Sequence, residues 1–265
     1  MLGANPNAKI LAGGYSLIPT MKLRLASPEM LVDLGKINEL KQIVVDADGA
    51  HIGAMATYND IRDNAEIASL FPAIPEAIEH IGDQQVRAHG TLAGSLAHAD
   101  PAADLTPVFL SLNGHVKVTG PQGERTIAAD ELFVDLWTTS LEPDEIITEV
   151  FLPTPQPGTI MAYKKHGHPA SGYALAGVAV VAVVKDGVCA EARISVTGST
   201  SKATRTTAAE EAVAGEALTD ETIAAVAQRA PEGLEINGDT YASEEYRAHL
   251  VSVLTKKVFQ TALAR

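Results

Sequence analysis

Residues Gly90–Asp104 read GTLAGSLAHADPAAD, fifteen positions of small residues, hydroxyls and carboxylates with little that is bulky. Ala93, Gly94 and Ser95 let a backbone pass close to a ligand, because little or no side chain stands in the way. The hydroxyls of Thr91 and Ser95, with free backbone N–H groups, can hydrogen-bond phosphate or ribityl oxygens. Taken alone, the stretch is a tight loop entering a helix at Pro101, with Asp100 as N-cap and proline at the first helical position. That leaves the Thr-x-x-Gly-Ser run before it unexplained.

A companion loop lies far upstream. Leu11–Pro19 reads LAGGYSLIP after a short apolar rise, and the paired Gly13 and Gly14 allow positive φ on a strand-ending turn. Ser16 adds a further hydroxyl. Neither loop fits G-x-G-x-x-G or the Gly-Lys-Ser/Thr ending of a P-loop, so dinucleotide-fold and kinase-type readings fail on the residues. Two such loops can still close on one pyrophosphate from opposite sides.

With AGGYS at Ala12–Ser16, KLRLA at Lys22–Ala26, the Thr91–Asp104 segment and ASGYALAGVAV at Ala170–Val180, the chain resembles the FAD-binding (medium) subunits of molybdenum hydroxylases. The resemblance covers nearly the whole chain. Tyr15, Ala93 and Ser95 depart from the common pattern, in which Gln, His or Asn, then Gly, then Asn are usual. Relatives also carry an opening strand and helix before the first loop.

The resemblance implies an α+β fold. Two α/β subdomains bind FAD, a small mixed unit over 1–55 and an antiparallel sheet with helices over 56–158. A C-terminal unit over 159–265 has a three-stranded antiparallel sheet and a helical bundle. It assigns Ala12, Gly13, Gly14, Tyr15 and Ser16, with Thr91, Gly94 and Ser95, to the pyrophosphate, and puts His98 beside them. Asp104 falls on the carboxylate that bonds the sugar portion. Ile147 and Lys164 fall near the flavin ring and its edge, and Tyr173 against the ring. An ammonium near the pyrimidine edge stabilises an anionic reduced flavin, and an aromatic shields the ring from water. Lys22 and Arg24 can approach a phosphate, or equally lie on a solvated face.

Composition narrows the partners. At 265 residues the chain exceeds one average domain, and 46% hydrophobic content suffices for a core. A net charge of −13 argues against nucleic acid or an anionic membrane surface. The Met1–Ile10 segment has no apolar signal core, and the longest apolar run, Tyr173–Val184, is twelve residues and too short to span a bilayer. A cytoplasmic protein is expected. The single cysteine, Cys189, supports neither an internal disulfide nor a [2Fe–2S] centre, which takes four thiolates, and reads as a small buried hydrophobe.

In chain order, Met30–Leu34 reads as a buried strand, Asn38–Val45 as another and Ala50–Ala54 as a third. Asn59 or Thr57 caps a helix over Ile61–Leu70, and Ile74, Ile78 and Ile81 mark a second helix. A helix after Pro101 ends near Asn113–Gly114, and His115–Thr119 turns at Pro121–Gly123 to pair with Glu124–Ile127. Glu145–Pro153 is a strand, and the prolines of PTPQPG mark a boundary. Asp186-Gly187 signals a hairpin joining Ala174–Val184 to Val188–Thr197. Thr207-x-x-Glu210 is a capping box. Helices follow over Asp220–Ala230 and Ser243–Leu263, the last with Tyr246, Leu250, Val253 and Leu254 on one face.

Eight histidines invite a metal reading. His98-Ala-Asp100 and His166-Gly-His168 lack a third ligand in register, so no metal is expected. Gly-x-Ser-x-Gly is absent, and Asp100 and Asp104 would repel if both lay bare on one helix face.

The resemblance implies non-covalent FAD in an electron-transfer subunit. It would be partnered by a molybdenum-cofactor large subunit and a [2Fe–2S] small subunit, as a dimer of heterotrimers. A flavin-free assembly scaffold and a free-standing flavoprotein oxidoreductase are the alternatives.

Overall fold

The computed structural model describes residues 2–265, and four sheets organise them. Strand β1 (Ala8–Leu11) leads through the first loop into helix α1 (Leu17–Lys22) and back to β2 (Met30–Asp33), which pairs parallel with β1. Among the described residues, this two-stranded unit keeps most of its side chains partly or fully exposed. Met30–Leu34 is therefore not the buried strand expected: Met30 and Leu31 are exposed, and only Leu34 is buried. Asn38–Lys41 is a 3₁₀ turn rather than strand, after which β3 (Ile43–Val45) and β4 (Gly49–Gly53) form a hairpin.

That hairpin joins a five-stranded antiparallel sheet with β5 (His115–Gly120), β6 (Gly123–Ala128) and, after two short strands β7 (Phe133–Asp135) and β8 (Thr138–Thr139), β9 (Ile146–Pro153). The order is β3-β4-β9-β5-β6, so the sheet runs across residue 55 and its central strand comes last in sequence. Helices α2 (Tyr58–Arg62), α3 (Ala65–Leu70), α4 (Ala73–Glu79), α5 (Gln84–His89), α6 (Leu92–His98) and α7 (Leu105–Ser111) fill the connection, with α8 (Ala129–Leu132) after β6. Thr57 and Asn64 both cap: Thr57 forms a capping box with Asp60, and Asn64 accepts the N–H groups of Glu66 and Ile67. The expected single helix over Ile61–Leu70 is thereby cut in two.

The C-terminal sheet runs β10 (Thr159–Gly167), β11 (Ala174–Lys185), β12 (Val188–Thr197) and a two-residue β13 (Thr204–Arg205), one strand more than expected. Asp186 and Gly187 both take positive φ at the β11–β12 turn. Strand β11 is apolar on both faces because α7 packs on one side and α11 (Glu244–Leu263) on the other. Helices α9 (Thr207–Val213) and α10 (Asp220–Arg229) complete this half.

Three local expectations fail for tertiary reasons. Asp100 caps no helix, since α7 begins only at Leu105. The carbonyls of Pro101 and Ala103 instead accept from the Thr197 hydroxyl at 2.7 and 2.9 Å, and Pro101 also accepts from Gly198 N–H at 2.6 Å. Glu210 forms no capping box with Thr207, because its carboxylate takes the Ile194 N–H and the Arg205 guanidinium. On α11 Leu250 and Leu254 face inward as expected, but Tyr246 is exposed and Arg247 is buried in its stead, donating to the carbonyls of Leu175 and Gly198 and pairing with Asp239.

Candidate cofactor site

The two small-residue loops meet. Gly13 lies so close to the end of α5 that a Cβ on it would fall 2.0 Å from the His89 carbonyl oxygen and 2.8 Å from Gly90 Cα. A Cβ on Gly94 would meet Ala12 Cβ at 3.6 Å and the Thr91 hydroxyl at 2.7 Å. Tyr15 stacks on His89 with ring centroids 5.7 Å apart. The sequence thus brings residues eighty positions apart into contact by removing side chains from one backbone where it crosses another (Gly13 against Gly90, roughly eighty apart by their numbers).

This junction fits an anionic cofactor. The N–H groups of Gly13, Gly14 and Tyr15 find no acceptor among the described residues, and Gly14 sits at φ +78°. Successive free N–H groups around a left-handed residue form an anion-binding concavity. Thr91 caps α6 by accepting the Gly94 N–H at 3.0 Å, which holds the second loop in place.

Next to the loops lies a buried phenol not anticipated from sequence. Burial pushes the Tyr58 hydroxyl up to about 12; Ser95 beside it works the other way, and the charges of Asp104 and Tyr173 reinforce the rise. Tyr173, 53% exposed, feels burial first and then Asp100 and Asp104, so its hydroxyl titrates above the usual range. Ser95, Tyr58, Asp104 and Tyr173 therefore share one neighbourhood.

Asp104 itself is engaged. Its side chain is 8% exposed, accepts the Tyr163 hydroxyl at 2.6 Å and pairs with Lys165 at 2.9 Å. Burial holds its carboxyl above the ordinary range despite Lys165 and Tyr163. Lys165 also donates to the His80 carbonyl, and burial with the Lys165 charge pushes the His80 imidazole down. Lys164 points elsewhere, to Glu76 at 2.7 Å. Glu76 further accepts the Tyr163 N–H and Arg265, and these donors overcome burial to hold its carboxyl below the usual range.

Three further residues are expected at the site. Ile147 is buried in β9 opposite Val118, Lys22 is exposed at the end of α1, and His98 is exposed at the end of α6. Sequence reading missed Tyr58, Tyr163, Lys165 and Glu76. A signal was present for two of them, since Tyr163 and Lys165 share one face of a strand by their spacing.

Fold and junction define a mixed α+β chain in which two small-residue loops converge. Comparison makes this specific. The family described as "FAD binding domain in molybdopterin dehydrogenase" matches residues 1–155, and that described as "CO dehydrogenase flavoprotein C-terminal domain" matches residues 161–262. The nicotine 6-hydroxylase medium subunit of Paenarthrobacter nicotinovorans is 38% identical over 265 residues, covering 100% of this chain and 93% of that protein. The carbon monoxide dehydrogenase medium chain of Hydrogenophaga pseudoflava is 34% identical, covering 98% and 90%. The solved structure of carbon monoxide dehydrogenase from Hydrogenophaga pseudoflava superposes with a TM-score of 0.95 at 36% identity, covering 99% of this chain and 92% of that one. Quinoline 2-oxidoreductase from Pseudomonas putida 86 gives 0.93 at 31%, covering 99% and 92%. The chain belongs to the FAD-binding medium subunits of molybdenum hydroxylases, and is an FAD-dependent oxidoreductase subunit. No helix among the described residues is long and apolar enough to cross a membrane.

Proposed function

We propose that the chain is the electron-transfer subunit of a multi-subunit molybdenum-containing hydroxylase or dehydrogenase. It takes electrons from [2Fe–2S] clusters on a small subunit and passes them to an external acceptor, while substrate is oxidised on a molybdenum-cofactor large subunit. The observation that carries this reading is the convergence of the Ala12–Ser16 and Thr91–Ser95 loops, where the N–H groups of Gly13, Gly14 and Tyr15 find no acceptor among the described residues. Relatives named as medium subunit or medium chain support partnership with other subunits, and the assembly proposed is a dimer of heterotrimers in the cytoplasm.

Bound there non-covalently, FAD supplies the redox chemistry, because its ring exchanges electrons singly or in pairs. The chain's own residues bind and orient it. Ala12–Ser16, Thr91, Gly94 and Ser95 hold the pyrophosphate, with His98 beside them. Tyr173 covers the ring, while Ile147 and Lys164 border it. Asp104 serves the sugar portion from within its pair with Lys165, and Lys22 offers a charge at the margin.

The test is to load the purified chain with FAD and precipitate it with acid. Flavin released to the supernatant supports non-covalent binding; colour kept in the pellet contradicts it. Co-expression with a cluster-bearing chain should then yield a complex that passes electrons to a soluble acceptor. Turnover of an organic substrate by this chain alone would favour a free-standing enzyme.

A further inference from the structure

Between β10 and β11 the chain turns through His168–Tyr173, and one imidazole closes the turn. The His168 N–H donates to the Tyr173 carbonyl at 2.7 Å, and the Gly172 N–H donates to the His168 carbonyl at 2.8 Å. Pro169 has no N–H to place. Of the three amides left, Tyr173 donates to Ser171 Oγ at 3.3 Å, and Ala170 and Ser171 both donate to Nδ1 of His168, at 3.1 and 3.2 Å. Pro169 to Tyr173 are all exposed, and Gly172 takes φ +74°. In an exposed loop such amides can turn to water at little cost to folding. What they lose is a fixed course.

A nitrogen that accepts two N–H groups carries no proton. These two bonds need an imidazole with its hydrogen on Nε2, and the imidazolium cannot make them. The ring is held edge-on by Tyr241, with centroids 4.3 Å apart. Tyr241 donates its N–H to Asp239 at 2.8 Å, and Asp239 pairs with the buried Arg247 of α11. The titratable and charged groups around the turn are thus Tyr241 and Asp239 from the segment before α11, and Tyr246 and Arg247 from α11 itself. His166, which meets Tyr246, and Tyr173 stand at the strand ends, and Asp100 and Asp104 act on Tyr173 from the segment before α7. Asp239 and Arg247 neutralise each other.

We propose that His168 is a positioning residue: its neutral imidazole sets the path of the Pro169–Tyr173 turn and so the placing of Tyr173 over the flavin. Protonating His168 removes the acceptor, frees the turn and loosens the cover on the ring. This rests on the reading of Tyr173 as the flavin-facing aromatic. The chemistry also says which replacement preserves the device. Asparagine places Oδ1 where histidine has Nδ1, one bond from Cγ, and such side chains accept the N–H groups two and three residues on. Glutamine carries its oxygen one bond too far.

The test compares the native chain with His168→Asn, His168→Gln and His168→Ala, each loaded with FAD. The protection of the Ala170 and Ser171 amides against hydrogen exchange, corrected for the intrinsic rate, is read at about pH 8 and about pH 5, either side of where imidazoles change charge. Native protection should fall about tenfold at the lower pH, the worth of a net hydrogen bond. His168→Asn should keep it at both values, and His168→Gln and His168→Ala should lack it at both. Equal native protection at both pH values, or loss in His168→Asn as complete as in His168→Ala, overturns the role of His168. Flavin fluorescence is read on the same samples. It should rise wherever amide protection is lost; if protection titrates as expected and the fluorescence does not follow, the placement of Tyr173 on the flavin is overturned instead.

Discussion

A phenol with no access to water needs an acceptor, and Tyr163, fully buried, finds one in Asp104. Room for that hydroxyl comes from Gly177 on the neighbouring strand, where a Cβ would stand 2.5 Å from Tyr163 Oη and 2.8 Å from Thr197 Cγ2. Gly177→Ala should therefore destabilise the chain by about 1–3 kcal/mol through overpacking. Tyr163→Phe keeps the volume and removes the donor, and should cost about 1–3 kcal/mol. Urea unfolding measures both; a neutral Gly177→Ala would mean that Tyr163 sits elsewhere. Asp104→Ala leaves Lys165 buried without its partner, so the apo form should lose the equivalent of about 3–5 kcal/mol, and the FAD-loaded form should fall further because the sugar portion loses its acceptor. A loss seen only with FAD bound would show that Asp104 acts on the cofactor alone.

At the scale of elements, the loop junction turns on two glycines that do different work. Gly13→Ala must part the first loop from the His89 carbonyl, a backbone atom that cannot step aside. Gly94→Val presses on the Thr91 hydroxyl and breaks the cap of α6. Each should weaken FAD retention on the order of tenfold or more, since about 1.4 kcal/mol suffices for that factor. Circular dichroism should stay that of the folded chain. Normal flavin stoichiometry in both variants would place the cofactor elsewhere. Both loops were legible in the sequence, because glycine and alanine where the chain must turn or pass close leave a compositional trace. So were the Asp186-Gly187 hairpin and the extents of α10 and α11, which local chemistry sets. Illegible were the choices made by distant partners. Arg247 reads as a surface residue until the carbonyls of Leu175 and Gly198 are brought to it. The start of α7 at Leu105 depends on Thr197, and nothing near Glu210 announces its bond to Ile194. Lys164 and Lys165 are adjacent, and alternation alone cannot say which one faces Asp104.

Across the whole molecule, Glu76 is a joint. From α4 it holds Lys164 and the Tyr163 N–H of β10, together with Arg265 at the far end of the chain. Its carboxyl titrates below the usual range, so the ionised form favours the folded state. That contribution is complete above the unfolded value, about 4.3, and is lost as pH falls through the lower folded value. Glu76→Gln should accordingly be less stable at neutral pH, by about 1.5–3 kcal/mol for the lost charged hydrogen bonds, and its stability should change less on acidification than that of the native chain. Thermal melts between about pH 7 and pH 3 check this. Parallel curves for the two proteins would remove Glu76 from the joint.

The position of β9 at the centre of the five-stranded sheet also governs the order of assembly. Strand β9 pairs with β4 on one side and β5 on the other, and those two do not pair with each other directly. As the chain emerges from the ribosome, the hairpins β3–β4 and β5–β6 are complete well before residues 146–153 exist, and until then their inner edges stand open. Long-range closure of this kind is slow and leaves strand edges exposed to other chains. The helices of 58–111, made in the interval, are the material at hand to cover the two hairpins while they wait. A chain released just short of β9 is thus the form most prone to aggregate, and one released just beyond it has its sheet whole.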